Sequence, residues 1–213
     1  MKAALAAFAL ILGVILGVIL GVAGARAAPP ASLSCEGVFA RDTDKARLVA
    51  AFGARHVRDG EIPGAEGSTE RGTLVFADDP ARRIEILWQD EKKSRIPAMV
   101  RVGPESTWTF AVQGGVLKVG QTLADVRALN GGPFALSGFE WDYGGTVTDW
   151  KTGRLARIPG GCTLSLIFAP DPDAPEKARL KVSGDATFSS DGAAMKAVRP
   201  KVEVLSFGWP ATP

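Results

Sequence analysis

Two carboxylates at two-residue spacing are the residues of this chain that come closest to an acid–base pair. Glu140 and Asp142 lie in the segment Gly138–Gly145, whose sequence is GFEWDYGG. On a β-strand, residues two apart point to the same face, so these carboxyl groups would shift each other's pKa. A glycosidase needs two carboxylates on either side of a substrate cleft. A hydrolase using Glu140 and Asp142 is therefore the most distant alternative, and a solvated strand face is the simpler interpretation.

His56 is the only histidine, so a histidine-dependent mechanism would depend on it alone. It lies between Arg55 and Arg58, whose positive charges favour its neutral form. The chain contains neither of the nucleophile motifs G-x-S-x-G and S-x-x-K. We therefore predict a loop histidine, no catalytic residue and a protein that is not an enzyme.

The aromatic residues near Trp141 give the strongest signal for binding. Phe139, Trp141 and Tyr143 would lie on one face of a strand, opposite the two carboxylates, and Trp150 follows shortly after. An exposed row of rigid aromatic rings suits an interface hot spot, so we predict recognition of a protein partner. The alternative is a small-molecule or glycan site on Trp141, Tyr143 and Trp150, with Asp142 as polar anchor. A third interpretation places the row in the core.

The N-terminal segment has the layout of a secretory signal peptide. Lys2 precedes an apolar run from Ala3 to Ala25, and the pattern Ala25-Arg26-Ala27 predicts cleavage after Ala27. The alternative is a retained membrane anchor, since the run is long enough to span a bilayer. Gly13, Gly17 and Gly21 also repeat at the four-residue spacing of packed membrane helices. We expect a periplasmic or secreted protein, without a membrane segment once the signal is removed.

Removal of the signal peptide changes the charge balance of the chain. The whole chain has 25 Lys and Arg against 23 Asp and Glu, and the segment Met1–Ala27 carries Lys2 and Arg26 with no acid. The remaining chain therefore has 23 basic and 23 acidic residues. Without a net positive charge, nucleic acid is not an expected partner.

The two cysteines, Cys35 and Cys162, are expected to form a disulfide because the chain is exported. The alternative is two separate buried thiols. Two cysteines and one histidine are too few ligands for a metal site of the zinc type. The glycine pairs also lack the spacing that holds phosphate groups, so we predict neither metal nor cofactor.

The predicted fold class is α+β, with a mostly antiparallel sheet and two short helices. Apolar spacing predicts helices in Thr43–Gly53 and Gly120–Gly131, and Thr122 with Asp125 approximates a capping box. Each helix precedes a strand that enters an acidic, proline-containing turn, which indicates two tandem helix-plus-hairpin repeats. After the signal and a flexible leader, Ala28–Ser34, the halves would be 35–114 and 115–213, or one fused domain.

Further strands are predicted from alternation and turn signals. A surface loop is predicted for His56–Gly72, which is rich in Gly and Glu. The predicted strands outside the two turns are 82–88, 106–112, 145–150, 154–158, 178–184 and 201–207, with a tight hairpin at Lys151-Thr152-Gly153 and a turn at Asp191-Gly192.

The helix-opening pattern in the second half resembles a known group of exported proteins. Its residues are Gly120-Gln121-Thr122, Val126, Leu129, Gly131 and Pro133. This pattern is similar to that of the small outer-membrane-assembly lipoproteins and of the secreted β-lactamase inhibitor proteins. The inhibitor proteins carry their structural unit twice in tandem, which the weak repeat of this chain resembles. The whole chain looks similar to uncharacterised exported proteins of proteobacteria. The resemblance implies a binding scaffold without catalytic residues. The chain lacks the lipidated cysteine of the lipoproteins.

Overall fold

The structure is a computed structural model that describes residues 32–211. Within this range the chain has both helices and mostly antiparallel strands, so the predicted α+β class is confirmed. The helices are α1 (Lys45–Phe52), α2 (Leu123–Asn130), α3 (Glu176–Arg179) and α4 (Ala193–Ala197). The strands are β1 (Val57–Pro63), β2 (Thr69–Val75), β3 (Ile84–Asp90), β4 (Arg95–Val102), β5 (Thr109–Val112), β6 (Gly115–Lys118), β7 (Ala135–Ser137), β8 (Val147–Asp149), β9 (Thr163–Ala169), β10 (Thr187–Ser189) and β11 (Lys201–Gly208).

The largest sheet contains strands from both halves of the chain. Its order is β1-β2-β3-β4-β11-β9, and every neighbouring pair is antiparallel. The first four strands follow each other along the chain, whereas β11 inserts between β4 and β9. The two halves therefore share one sheet. The boundary at residue 114 also falls in the turn of the β5–β6 hairpin.

Both predicted helices form, and each has identifiable end signals. The Asp44 carboxylate accepts a hydrogen bond of 2.8 Å from the backbone N–H of Arg47 at the start of α1. The capping box of α2 is confirmed, with Thr122 and Asp125 each accepting from the other's backbone N–H. Gly131 ends α2 at φ 80°, a left-handed conformation that glycine adopts without strain. Helices α3 and α4 are additional to the two predicted.

Two groups of aromatic rings occupy the core. Phe207 on β11 packs against Phe39 and Phe110, with ring centroids 6.2 and 4.9 Å apart. Phe134 packs against Trp150 and Phe168 at 5.2 and 5.8 Å. Phe134 immediately precedes β7 and Trp150 immediately follows β8. These strands form a three-stranded sheet with β10 in the order β10-β7-β8. The loop between β7 and β8 is therefore built on a packed base.

The predicted surface loop at His56–Gly72 is wrong, because most of this segment forms β1 and the start of β2. The two strands pair from Val57 with Val75 to Pro63 with Thr69. Strand β1 is at the edge of the sheet, where polar residues are common and the apolar alternation is weak. Only Val57 and Ile62 of this strand are buried. This is why composition alone indicated a loop.

Two other predicted strands are also wrong. Residues 178–182 lie in α3 and in a 3-10 helix, Leu180–Val182, so the second copy of the predicted repeat has no hairpin there. Strand β9 instead pairs with β11. Residues 154–156 form another 3-10 helix, and Arg154 donates to the carbonyls of Leu129 and Ala128 at 2.8 and 2.7 Å. Arg154 thus supplies hydrogen-bond donors to free carbonyl groups at the C-terminal end of α2. The hairpin predicted at 151–153 does not form.

The Cys35–Cys162 disulfide is present, and it joins residues 127 positions apart in the sequence. Both cysteines are buried, and their Cα atoms are 5.9 Å apart. Gly160 lies against the backbone of Cys35, where a Cβ atom would collide with the Cys35 carbonyl. The predicted signal peptide and most of the leader lie outside the described residues. Within residues 32–211, no helix has the length and hydrophobicity needed to cross a membrane.

Candidate functional site

Trp141 and Tyr143 lie on the loop that joins β7 to β8, and short hydrogen bonds hold this loop in place. The Ser137 hydroxyl donates to the carbonyl of Tyr143 at 2.6 Å. The backbone N–H of Gly145 donates to Gly138 and that of Gly144 donates to Trp141, both at 2.9 Å. The loop is thus closed on itself at its base and again at its tip. These hydrogen bonds fix the loop conformation in the free protein.

The two exposed rings are also ordered by direct contacts. Their centroids are 5.6 Å apart and the ring planes meet at 70°, an edge-to-face arrangement that aromatic pairs favour. The indole N–H of Trp141 donates to the carbonyl of Gly138 at 3.0 Å. Trp141 is 37% exposed and Tyr143 is 53% exposed. The pair presents apolar area that loses little rotamer freedom on binding, which is typical of interface hot spots.

Phe139 does not share a strand face with Trp141 and Tyr143, so the predicted aromatic row is wrong. Its ring is buried, because its backbone pairs with the segment after α3. The N–H of Phe139 donates to Val182 at 2.8 Å, and its carbonyl accepts from Gly184 at 2.9 Å. Phe139 therefore anchors the base of the loop from inside.

Trp150 is also buried, as the core interpretation of the aromatic residues anticipated for part of the row. Its ring packs on Phe134, and its indole N–H donates to the carbonyl of Leu164 at 3.2 Å. A buried indole with a satisfied N–H cannot form the wall of an exposed glycan platform. Of the predicted aromatic site, Trp141 and Tyr143 are the members at the surface.

Leu180 is a third exposed apolar residue near this loop, and sequence reasoning missed it. It lies in the 3-10 helix Leu180–Val182 and is 65% exposed. This segment is joined to the loop twice, by the Phe139–Ser183 bridge and by the Ser183 hydroxyl, which donates to the Glu140 carboxylate at 2.9 Å. Leu180 was missed because residues 178–184 were predicted to form a strand. In a hydrogen-bonded hairpin, Leu180 would not have been expected to be an exposed residue next to the loop.

We define the aromatic loop surface as Trp141, Tyr143 and Leu180. Among residues 32–211, the exposed large apolar side chains are these three together with Val116. Val116 is on β6 in the two-stranded hairpin, away from the β7–β8 loop along the chain. Exposed large apolar residues on segments that are hydrogen-bonded to each other are a better indication of an interaction site than single scattered residues. Asp142, between the two rings in the sequence, is exposed and adds a negative charge to the loop.

The two carboxylates do not form the strand pair that the spacing predicted. Glu140 has a φ of 64°, which breaks the extended conformation that would align it with Asp142. Its carboxylate is engaged by Ser183. Residues 140–145 form the loop rather than a strand, so the i, i+2 alternation does not apply to them. The geometry that motivated a hydrolase is therefore missing.

His56 contacts its neighbours in a way that fits a structural role. Its Nε2 accepts from the Nε of Arg55 at 2.9 Å, and its ring packs on Phe76 with centroids 4.8 Å apart. Arg82 covers the Phe76 ring, 4.3 Å from its centroid. Throughout the described range, no cluster of three or more His, Cys, Asp or Glu residues is placed to hold a metal ion.

The described surface includes four cavities with volumes of about 340, 470, 240 and 340 Å³. None of these four is lined by Trp141, Tyr143 or Asp142. A small-molecule site is usually concave and encloses most of its ligand. These four cavities are therefore concave sites that are distinct from the aromatic loop surface.

Comparison of the chain with family models, with curated proteins and with solved structures finds no match in any of the three. The resemblance to the β-lactamase inhibitor proteins and assembly lipoproteins stays a prediction. The case for function rests on the geometry of the chain itself.

Proposed function

We propose that this protein is an exported, non-enzymatic binding protein that recognises a protein partner through the aromatic loop surface. The observation that carries the proposal is the Trp141–Tyr143 pair, exposed at the surface yet fixed edge to face on a closed loop. Inhibitor-like action, in which the loop occupies a groove of another protein, is one form of this function. Trp141 is the expected anchor because tryptophan is strongly enriched at interface hot spots.

The loop is better suited to a protein partner than to a glycan. The glycan alternative used Trp150 as one wall, and Trp150 is buried. Leu180, on the segment bonded to the loop, adds an exposed aliphatic side chain, which suits contact with apolar protein side chains.

Export is supported by two independent features. The first 27 residues have the arrangement of a signal peptide, and the folded domain contains a buried disulfide, which forms in oxidising compartments. The mass of the protein recovered from the periplasm or medium tests this part directly. We expect a chain that begins at Ala28, whereas recovery of a full-length membrane-bound chain would indicate a retained anchor.

Affinity capture tests the binding proposal. The protein, immobilised through its C-terminus, is exposed to a periplasmic extract alongside the variants Trp141→Ala and Val116→Ala, and captured proteins are quantified by mass spectrometry. Val116→Ala is the matched control because it removes a similarly exposed apolar side chain from another sheet. We expect one protein to be captured by the wild type and by Val116→Ala but lost with Trp141→Ala. Equal capture by all three proteins would exclude Trp141 from the site.

A further inference from the structure

A groove of about 470 Å³ lies where the start of α2 meets the segment between α4 and β11. Its volume is within the range of about 300–1,000 Å³ that is usual for small-molecule sites. Leu123, Ala124 and Pro200 provide an apolar wall. The groove is separate in sequence from the β7–β8 loop, and the proposed partner surface makes no use of it.

The groove has an excess of positive charge. Four basic residues line it, and they are Arg127, Lys196, Arg199 and Lys201. Two carboxylates pair with three of them. Asp191 accepts from Arg127 at 2.6 Å and from Lys196 at 2.9 Å, while Asp171 accepts from Arg199 at 3.1 Å. Lys201 has no carboxylate within 4.0 Å among the described residues, although its charge acts on Asp171 from farther away.

Both carboxylates stay ionised at neutral pH, so they offset two of the four positive charges. The hydrogen bond from Lys196 and the nearby charge of Arg127 lower the pKa of Asp191. The backbone N–H of Asp173, followed by Arg199, lowers the pKa of Asp171. Four cations against two carboxylates leave the groove with a net charge of +2. An anionic group entering it would be attracted, and the attraction would weaken with added salt.

Ser190 adds a buried polar group to the lining of the groove. It is wholly buried, and its hydroxyl oxygen accepts from the backbone N–H of Phe134 at 2.9 Å. This bond ties the chain just before β7 to the lining of the groove.

The walls of the groove are fixed to each other by the backbone. The N–H of Leu123 donates to Pro200 at 3.2 Å, and Gly120 and Val202 extend this pairing with a bond of 2.8 Å. The N–H of Val202 returns a bond of 2.9 Å to Gln121. The groove is therefore preformed, and a ligand would not have to order it.

From this combination we infer a second binding site that takes a small amphipathic carboxylate, such as a medium-chain fatty acid. The aliphatic chain lies on Leu123, Ala124 and Pro200, and the carboxylate meets Lys201. An inorganic anion would interact with the basic residues but would leave the apolar wall exposed to water. A neutral lipid-like molecule would cover the wall and leave Lys201 unpaired.

Calorimetric titration with three probes tests the site in the purified protein. The probes are octanoate, 1-octanol, which has the same chain length without the charge, and inorganic phosphate, which has charge without the chain. We expect octanoate to bind about tenfold more tightly than either of the others, because it alone satisfies both parts of the groove. The octanoate affinity should fall when the salt concentration is raised. Phosphate or octanol binding as tightly as octanoate would overturn the inference.

Two variants with a matched control locate the site. Lys201→Gln should weaken octanoate binding about fivefold, the effect of one partly exposed charge. Lys92→Gln, an exposed lysine in the β3–β4 turn without an ion pair in the described range, should leave the affinity unchanged. Ala124→Phe, at an exposed position of α2, should abolish binding by filling the groove while the thermal midpoint is retained. Equal effects of Lys201→Gln and Lys92→Gln, or unchanged binding in Ala124→Phe, would place octanoate elsewhere.

Discussion

The rings of Trp141 and Tyr143 meet edge to face, with centroids 5.6 Å apart, at the tip of a loop closed by hydrogen bonds. Large aromatic side chains are usually buried, and in this chain the other four tryptophans are. The exposed pair is therefore an exception to the pattern that the rest of the molecule follows. Leaving the apolar surface of these two rings in water is unfavourable, and the exposure is explained if another protein covers the pair.

Iodide quenching of tryptophan fluorescence measures this exception directly. Trp141 is 37% exposed, whereas Trp88, Trp108, Trp150 and Trp209 are each at most 9% exposed. We expect the quenchable part of the emission to disappear in Trp141→Phe. Trp209→Phe is the control and should retain it. Equal quenching of wild type and Trp141→Phe would show that the indole is shielded in solution.

Reduction of the disulfide should lower the stability of the domain substantially. The Cys35–Cys162 bond closes a loop of more than one hundred residues, which corresponds to about 4–5 kcal/mol in the chain-entropy model. Urea unfolding with and without a reductant measures this difference in the free energy of unfolding. A double variant with alanine at both positions should match the reduced protein. An unchanged urea midpoint after complete reduction would contradict the structural role of the bond.

Gly160 and Gly161 provide a matched pair for the close approach to Cys35. Both have a positive φ, 84° and 73°, so alanine is strained at either position. At Gly161 a Cβ atom meets nothing within 4 Å, whereas at Gly160 it collides with the Cys35 backbone. We expect Gly161→Ala to cost about 1 kcal/mol. Gly160→Ala should cost about 2 kcal/mol more, because the backbone at Cys35 has to move. Equal urea midpoints for the two variants would rule out the contact.

The capping box of α2 predicts a pH dependence. The hydrogen bond from the Thr122 hydroxyl, followed by that from its backbone N–H, lowers the pKa of Asp125. Because the folded-state pKa is below the unfolded value of about 3.9, this contribution to stability is present above that pH. It is lost as the pH falls through the lowered pKa.

Thr122→Ala should raise the pKa of Asp125 and lower the free energy of unfolding at pH 7 by about 1 kcal/mol. Thr122→Ser keeps the hydroxyl and should leave both quantities near their wild-type values. An NMR titration of the Asp125 carboxyl carbon measures the pKa in each protein. An Asp125 pKa that is the same in Thr122→Ala as in wild type would mean that the hydroxyl does not hold the carboxylate.

Local signals predicted the parts of the fold that local interactions determine. Helix α2 was identifiable because Thr122, Asp125 and Gly131 lie within a few residues of its ends. The disulfide was predicted from the number of cysteines and from the expectation that the chain is exported. Strand β1 was missed because an edge strand does not require apolar alternation, and 178–184 was misassigned because its apolar spacing also suits a strand.

The site could be predicted only in part, for a similar reason. The sequence indicated Trp141 and Tyr143, but it could not show that Phe139 turns inward, since this depends on pairing with Val182 more than forty residues later. The link between the loop and the segment that carries Leu180 depends on the same pairing. The groove beside α2 was also invisible, because Lys201 and Leu123 are brought together by the bridge between Thr122 and Lys201.

The dissociation constant of the captured partner, measured with purified proteins, tests the central claim most directly. The three proteins compared are the wild type, Trp141→Ala and Val116→Ala. The account predicts at least a tenfold increase in the dissociation constant for Trp141→Ala, as expected for a hot-spot tryptophan. Val116→Ala should stay within about twofold of wild type, since an exposed side chain outside the interface contributes little. A Trp141→Ala protein that folds normally and binds the partner as tightly as wild type would contradict the claim.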